Sequence, residues 1–226
     1  MRKFFALTFF SFIILNDSES QVQIRDGALQ IFANNGDRVE QIFAPVPDQP
    51  HGKTLLLDHF QNGEMQLLNG HIISEIQINY DLLSKQIIVK TDTGDIVISS
   101  IFVKNFSIKS PLKSYYFEKT SYGSHIEKIY AGKQYSLYAN HSIKVIKAKY
   151  NQALDLGDKQ DKHVKKVNYH FSCPDNKHLE IPRKKRDFVK LFDEKDQALL
   201  DQYFSTNLYK PKDAKSLKNI FEYLSK

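Results

Sequence analysis

Tryptophan is absent from this chain of 226 residues, and cysteine occurs once. One thiol cannot staple a small scaffold, nor can it supply the two or more cysteines that thiolate zinc sites take from a chain. Glycine and proline are sparse, at 9 and 7 residues, which excludes collagen-like and low-complexity chains. Also missing are a G-x-S-x-G elbow, an H-E-x-x-H pair and a phosphate-cradling glycine loop. Their absence counts against the common hydrolases and nucleotide-dependent enzymes, though a site assembled from distant loops needs none of them. No catalytic residue and no cofactor is assigned from the sequence.

What the chain does carry is aromatic weight. Sixteen Phe and 12 Tyr sit in a composition that is 41% apolar, a load suited to a packed β-rich core and foreign to disordered chains. The length fits one ordinary domain or two small ones.

Arg2 and Lys3 precede a 12-residue apolar run, Phe4 to Leu15. A membrane-spanning helix needs about 20 such residues, so this run has the form of a signal-peptide core. Ser18 and Ser20 place small side chains where a signal peptidase reads, which predicts cleavage near Ser20/Gln21, an extracytoplasmic location and no transmembrane helix in the mature chain. No Cys lies nearby to take a lipid anchor. Outside the cytoplasm Cys173 has no second cysteine in its own chain with which to form a disulfide, and burial is the simplest state for it.

Charge divides unevenly along the chain. Residues 21–110 hold 7 basic and 10 acidic residues, a balance of −3, whereas 111–226 hold 23 and 14, a balance of +9. The densest basic run, Arg183, Lys184, Lys185 and Arg186, is the candidate contact for an anionic envelope polymer; its bland alternative is a solvated helix start, with Asp187, Asp193, Glu194 and Asp196 close behind.

From Gln21 to Phe171 the periodicity is that of strands. Ile76, Ile78 and Tyr80 alternate with Glu75, Gln77 and Asn79, and Gln86–Lys90 and Asp95–Ser99 bracket a turn at Thr91-Asp92-Thr93-Gly94. Strands are also expected over Gly27–Ala33, Val39–Ala44, Lys53–Phe60, Glu64–Leu68, Gln134–Ala139, Ser142–Tyr150 and Lys165–Ser172, with breaks at Asn62-Gly63 and Asn69-Gly70 and a long loop over 151–164. Short connections favour antiparallel pairing. After Pro182, expected in a first helical turn, apolar residues recur every three or four positions: Phe188, Leu191 and Phe192; Leu199, Leu200, Tyr203 and Phe204; Leu217, Ile220, Phe221 and Leu224. Asp193 and Asp213 are the expected N-caps. The fold class is therefore α+β: a signal peptide over 1–20, a predominantly antiparallel β-sheet domain over 21–181, and short C-terminal helices over 182–226 packed on that sheet.

Gly52-Lys-Thr-Leu-Leu-Leu-Asp-His-Phe60 with Gly63, then Asn79-Tyr80-Asp81 and Phe102-Val103-Lys104-Asn105-Phe106, resemble the pattern of a group of uncharacterised exported β-rich proteins from Bacteroidota-type bacteria. The tail extends the resemblance through Phe188, Leu191-Phe192, Leu199-Leu200, Tyr203, Asn207, Leu217, Ile220 and Tyr223, so that it spans about residues 50–226. It implies fold and export; the group has no assigned activity, and no site is transferred.

Other constellations are weaker. Asp92-Thr93-Gly94 has the letters of an aspartic-protease loop, but one copy lacks the second carboxylate, and an ordinary turn uses the same residues. His170, Cys173 and His178 are competent metal donors at a spacing that fits no zinc pattern. Asn105-Phe-Ser107 and Asn140-His-Ser142 fit the glycosylation triplet, which the bacterial source implied by the resemblance makes a chance match. Tyr115, Tyr116 and Phe117 with Tyr130, Tyr135 and Tyr138 offer an aromatic platform, half of which alternation assigns to the core. The expected function is a non-enzymatic exported module that binds or scaffolds an anionic polymer or another protein at the cell envelope. The alternatives are a secreted hydrolase with an unrecognised site and a carrier of an apolar ligand.

Overall fold

The computed structural model describes the backbone from Gln21 onward except 26–27, 33–37, 42, 46–53, 93, 122, 152–155, 158–160, 174–177 and 226, and side chains from Thr54 onward except 93, 122, 150–160, 174–177 and 226. The signal-peptide expectation over 1–20 and the turn between Ala33 and Arg38 lie outside the described residues.

Among the described residues sixteen strands and three α-helices follow in chain order. The first three, β1 (Gln21–Arg25), β2 (Ala28–Phe32) and β3 (Arg38–Gln41), pair as a small antiparallel sheet. The main sheet contains β4 (Phe43–Pro45), β5 (Gln61–Leu67), β6 (Ile72–Asp81), β7 (Gln86–Thr91), β8 (Gly94–Ile98), β9 (Val103–Lys109), β10 (Ser114–Lys119), β11 (His125–Ala131), β12 (Ser136–Ile146), β15 (Lys162–Ser172) and β16 (His178–Glu180). Its eleven strands run in the order β16-β15-β12-β11-β10-β9-β5-β6-β7-β8-β4, with antiparallel pairing throughout. Two short strands, β13 (Tyr150–Asn151) and β14 (Leu156–Gly157), pair inside the segment expected to be a loop. The helices are α1 (Lys185–Val189), α2 (Glu194–Thr206) and α3 (Ala214–Leu224). Among the described residues no helix is long and apolar enough to cross a membrane.

Several strand boundaries depart from expectation for local reasons. Asn62-Gly63 lies inside β5 and makes no turn: Gly63 is paired on both sides, and its glycine serves close approach, since a side chain there would overlap Ile78 and the Ser107 carbonyl of the flanking strands. Residues 54–60 form bends with one isolated bridge, Leu55 to Asp81. Asn79 holds that bend: its amide nitrogen donates to the carbonyls of Leu57 (2.8 Å) and His59 (3.3 Å), and its oxygen accepts from the Leu57 N–H (3.2 Å). That bonding explains why Asn79 is fully buried where alternation expects a wet residue. Asp81 then caps the following turn by accepting from Leu83 N at 2.8 Å. Residues 136–146, expected as two segments, form one strand, and Pro182 precedes a helix that begins only at Lys185.

The sheet rolls onto itself. Two strands lie between β6 and β10, which a flat sheet would hold about 14 Å apart, yet the Tyr80 and Phe117 rings are 5.2 Å apart. Phe106 stacks on Phe117 at 4.7 Å and meets Tyr80 at 5.4 Å, filling the roll. The seam is closed by lysines: Lys85 donates to the His141 carbonyl from the β6–β7 turn, and Lys165 donates to the Leu56 carbonyl at 3.2 Å.

The same covered face continues to the helices. Met65, Phe106, Phe117, Glu127, Ala139 and Tyr169 stand directly opposite one another across six strands. At the end carrying Leu137 and Phe171, the helices complete the core with Phe188, Phe192, Leu200, Leu217, Ile220 and Phe221. The caps form as expected: Asp193 accepts from Asp196 N at 2.8 Å, and Asp213 accepts from Ser216 N at 3.0 Å. Tyr135 locks α2 to the sheet by donating to the buried Asp196 carboxylate at 2.5 Å.

Candidate functional site

Glu127 is the one acidic residue in the covered row, and it is only 3% exposed. Both of its oxygens are engaged: Lys113 Nζ lies 2.6 Å from Oε1, and His141 Nε2 lies 2.6 Å from Oε2. Burial opposes ionisation, but the hydrogen bonds from His141 and Lys113 outweigh it and hold the carboxyl below the ordinary range. Lys113 also stacks over the Tyr115 ring at 4.1 Å, and His141 stands against Tyr115 and Phe117. A carboxylate so stabilised in its charged form, with no oxygen left over, is a poor general base. The cluster ties the β9–β10 connection to β11 and β12.

Among the described residues two polar atoms nearby make no hydrogen bond of good geometry. His125 Nδ1 and the Tyr80 hydroxyl are buried among the same aromatic rings. Burial pushes the His125 imidazole down to about 4 and the Tyr80 phenol up to about 12. His125 is therefore neutral at physiological pH, its Nε2 facing the Val103 carbonyl at 3.2 Å.

The opposite face of the sheet is open along the outer part of the arm made by β12 and β15, beyond the buried Tyr138. Eleven residue pairs run without a break from Ser136–Ser172 to Ile146–Lys162. On the opposite face successive pairs are Tyr138–His170, Asn140–Asn168, Ser142–Lys166, Lys144–Val164 and Ile146–Lys162. The three lysines are exposed, and they alternate between the two strands with Ile146 (43% exposed) and Val164 (45%) between them. Same-face positions along a strand are about 7 Å apart, so the cations form a regularly spaced zigzag. At the tip, Asp161 is taken up by Lys147 at 2.7 Å and by Ala148 N at 2.8 Å.

The sequence-derived candidates fall elsewhere. Arg183, Lys184, Lys185 and Arg186 are all exposed at the start of α1, and Lys185 reaches over the Phe204 ring at 5.7 Å. They ride on the helices over the covered face and do not join the lysine zigzag. His170, Cys173 and His178 do not converge: His170 and His178 share the open face, the latter ring lying 5.4 Å from Tyr138, whereas Cys173 is half-buried and packs into the helix-side core. Strand alternation separates them, and among the described residues no cluster of three His, Cys, Asp or Glu suits a metal.

Asp92 lies in the β7–β8 turn, where the Thr91 hydroxyl donates to the Gly94 carbonyl at 2.6 Å. It shares an open cleft of about 510 Å³ with Asp58, whose near partner is Lys165 at 3.5 Å. The tyrosine platform is divided between faces. Tyr130 and Tyr135 pack toward the helices, Tyr115 lines the core of the roll, and Tyr116 and Tyr138 lie on the opposite face, Tyr116 exposed and Tyr138 buried beside the His178 ring.

Sequence inspection missed the zigzag because Lys144, Lys162 and Lys166 come from two segments, and only the pairing register places them together. The spacing of two along Lys144-x-Ile146 and Lys162-x-Val164-x-Lys166 was the available signal. No protein family, no curated protein and no solved structure matches this chain.

Proposed function

We propose that the chain is an exported, non-enzymatic binding module of the cell envelope whose β12–β15 arm engages an anionic partner. The observation that carries this reading is the zigzag of Lys144, Lys162 and Lys166 on one exposed face of a continuously paired ladder. Regular spacing on a flat support offers several cations at once to a polyanion, and the +9 balance of residues 111–226 steers such a partner toward it. Export rests on the cationic start and the apolar run Phe4–Leu15, with cleavage near Ser20/Gln21, and on the resemblance to exported β-rich proteins.

The hydrolase alternative draws on the Glu127–His141 pair, and full engagement of both carboxylate oxygens counts against it. The stack of Phe106 on Phe117 that fills the roll counts against an apolar carrier. Titration of fluorescent poly-L-glutamate followed by anisotropy tests the proposal. Saturable binding that weakens as salt is raised supports it; no binding at low salt contradicts it.

A further inference from the structure

We infer that the outer edge of β15 receives an acidic, extended polypeptide segment as an added strand. This inference rests on the anionic-partner reading and names the partner's class. β15 is eleven residues long, but β16 pairs with it only at His170, Phe171 and Ser172. The Tyr169 carbonyl accepts from Ile181 N at 2.9 Å on the β16 side, while the Lys166 carbonyl takes the Ser142 hydroxyl at 3.5 Å on the β12 side. Backbone direction alternates along a strand, so His163, Lys165 and Val167 turn their N–H and C=O groups away from β12. Among the described residues no strand pairs with those three positions. An extended chain meets there a short row of backbone donors and acceptors in the geometry of a sheet ladder.

The side chains along this edge select the partner. Lys162, Val164 and Lys166 stand on one face, and His163, Lys165 and Val167 on the other. Val164 and Val167 are exposed at 45% and 39%; Val164 stands between the cations Lys162 and Lys166 on one face, while on the other Lys165 is held at the seam by the Leu56 carbonyl and Asp58. Lysines on an edge strand repel another basic strand, which disfavours pairing with a second copy of this chain. The same charges favour a strand with carboxylates at the facing positions, so one feature both excludes the homotypic partner and selects an acidic one. A folded polyanion without an extended segment reaches the lysines but leaves the backbone row unused.

The probe is a short peptide alternating Glu and Val, compared with the same peptide N-methylated at alternate residues and with heparin as a non-peptide polyanion. The inference expects the unmodified peptide to bind best, N-methylation to weaken binding by about tenfold or more, and Val167→Pro to weaken the peptide but not heparin. Val167→Glu serves as a second variant, lowering peptide affinity by charge with the N–H retained. Equal affinity for both peptides, with heparin binding intact, overturns strand addition and leaves the anionic-partner reading standing. Failure of all three probes overturns both.

Discussion

His141 Nε2 and Glu127 Oε2 face each other at 2.6 Å in the row of side chains that otherwise packs Met65, Phe106, Phe117 and Ala139 across the rolled sheet. The pair fixes the acid response of the fold. The depressed Glu127 carboxyl contributes stability that is present above its ordinary value of 4.5 and is lost as pH falls through the lower folded value. His125 acts in the same direction from a different cause. Burial holds it at about 4 against an ordinary 6.5, so the unfolded chain binds its proton first and stability declines as pH falls across that interval. Denaturation midpoints measured from neutral to acid pH are expected to fall in two overlapping stages. His125→Leu should flatten the upper stage, leaving the share of His170, which burial also holds down. An unchanged upper stage in that variant contradicts the assignment.

Gly63→Ala is expected to cost about 1–3 kcal/mol, because the added methyl overlaps Ile78 Cγ2 and the Ser107 carbonyl and forces one of β5's neighbours to move. Chemical denaturation measures this cost. A variant as stable as the parent would show that the two strands yield without strain.

Phe221 is fully buried between Tyr135, Phe171, Phe188 and Phe192, at centroid distances of 6.0, 5.3, 6.3 and 6.4 Å. Phe221→Asp should therefore cost about 3–5 kcal/mol through lost packing and an unpaired charge. An unchanged denaturation midpoint would mean that α3 is a detachable helix and not part of the core.

N-terminal sequencing of the protein recovered from an extracytoplasmic fraction is expected to begin at or near Gln21. Intact Met1 on that material would defeat cleavage.

The helical tail was legible because its information is local. Asp193 and Asp213 cap the turns that follow them, and the Leu217, Ile220, Phe221 and Leu224 stripe is one face of a short helix whatever it packs against. The β7–β8 hairpin was legible for the same reason, with Gly94 at φ 134° at its turn. Glu127 was not. In His125-Ile-Glu-Lys-Ile-Tyr130 it reads as part of a wet Glu-Lys pair between Ile126 and Ile129, and the pairing shift between Lys128 and Tyr130 breaks simple alternation there. Its burial depends on Lys113 and His141, each 14 positions away in the chain, on opposite sides. The lysine zigzag depended in the same way on which residue of β12 faces which residue of β15.

The comparison of two charge reversals measures the central claim most directly: Lys144→Glu with Lys166→Glu on the arm, against Arg183→Glu with Arg186→Glu at α1. All four positions are exposed, so neither pair should disturb the core. Affinity for poly-L-glutamate at low salt is expected to fall by about tenfold or more in the arm variant and to change little in the α1 variant. Loss confined to the α1 variant, or equal loss in both, would contradict the assignment of binding to the β12–β15 arm.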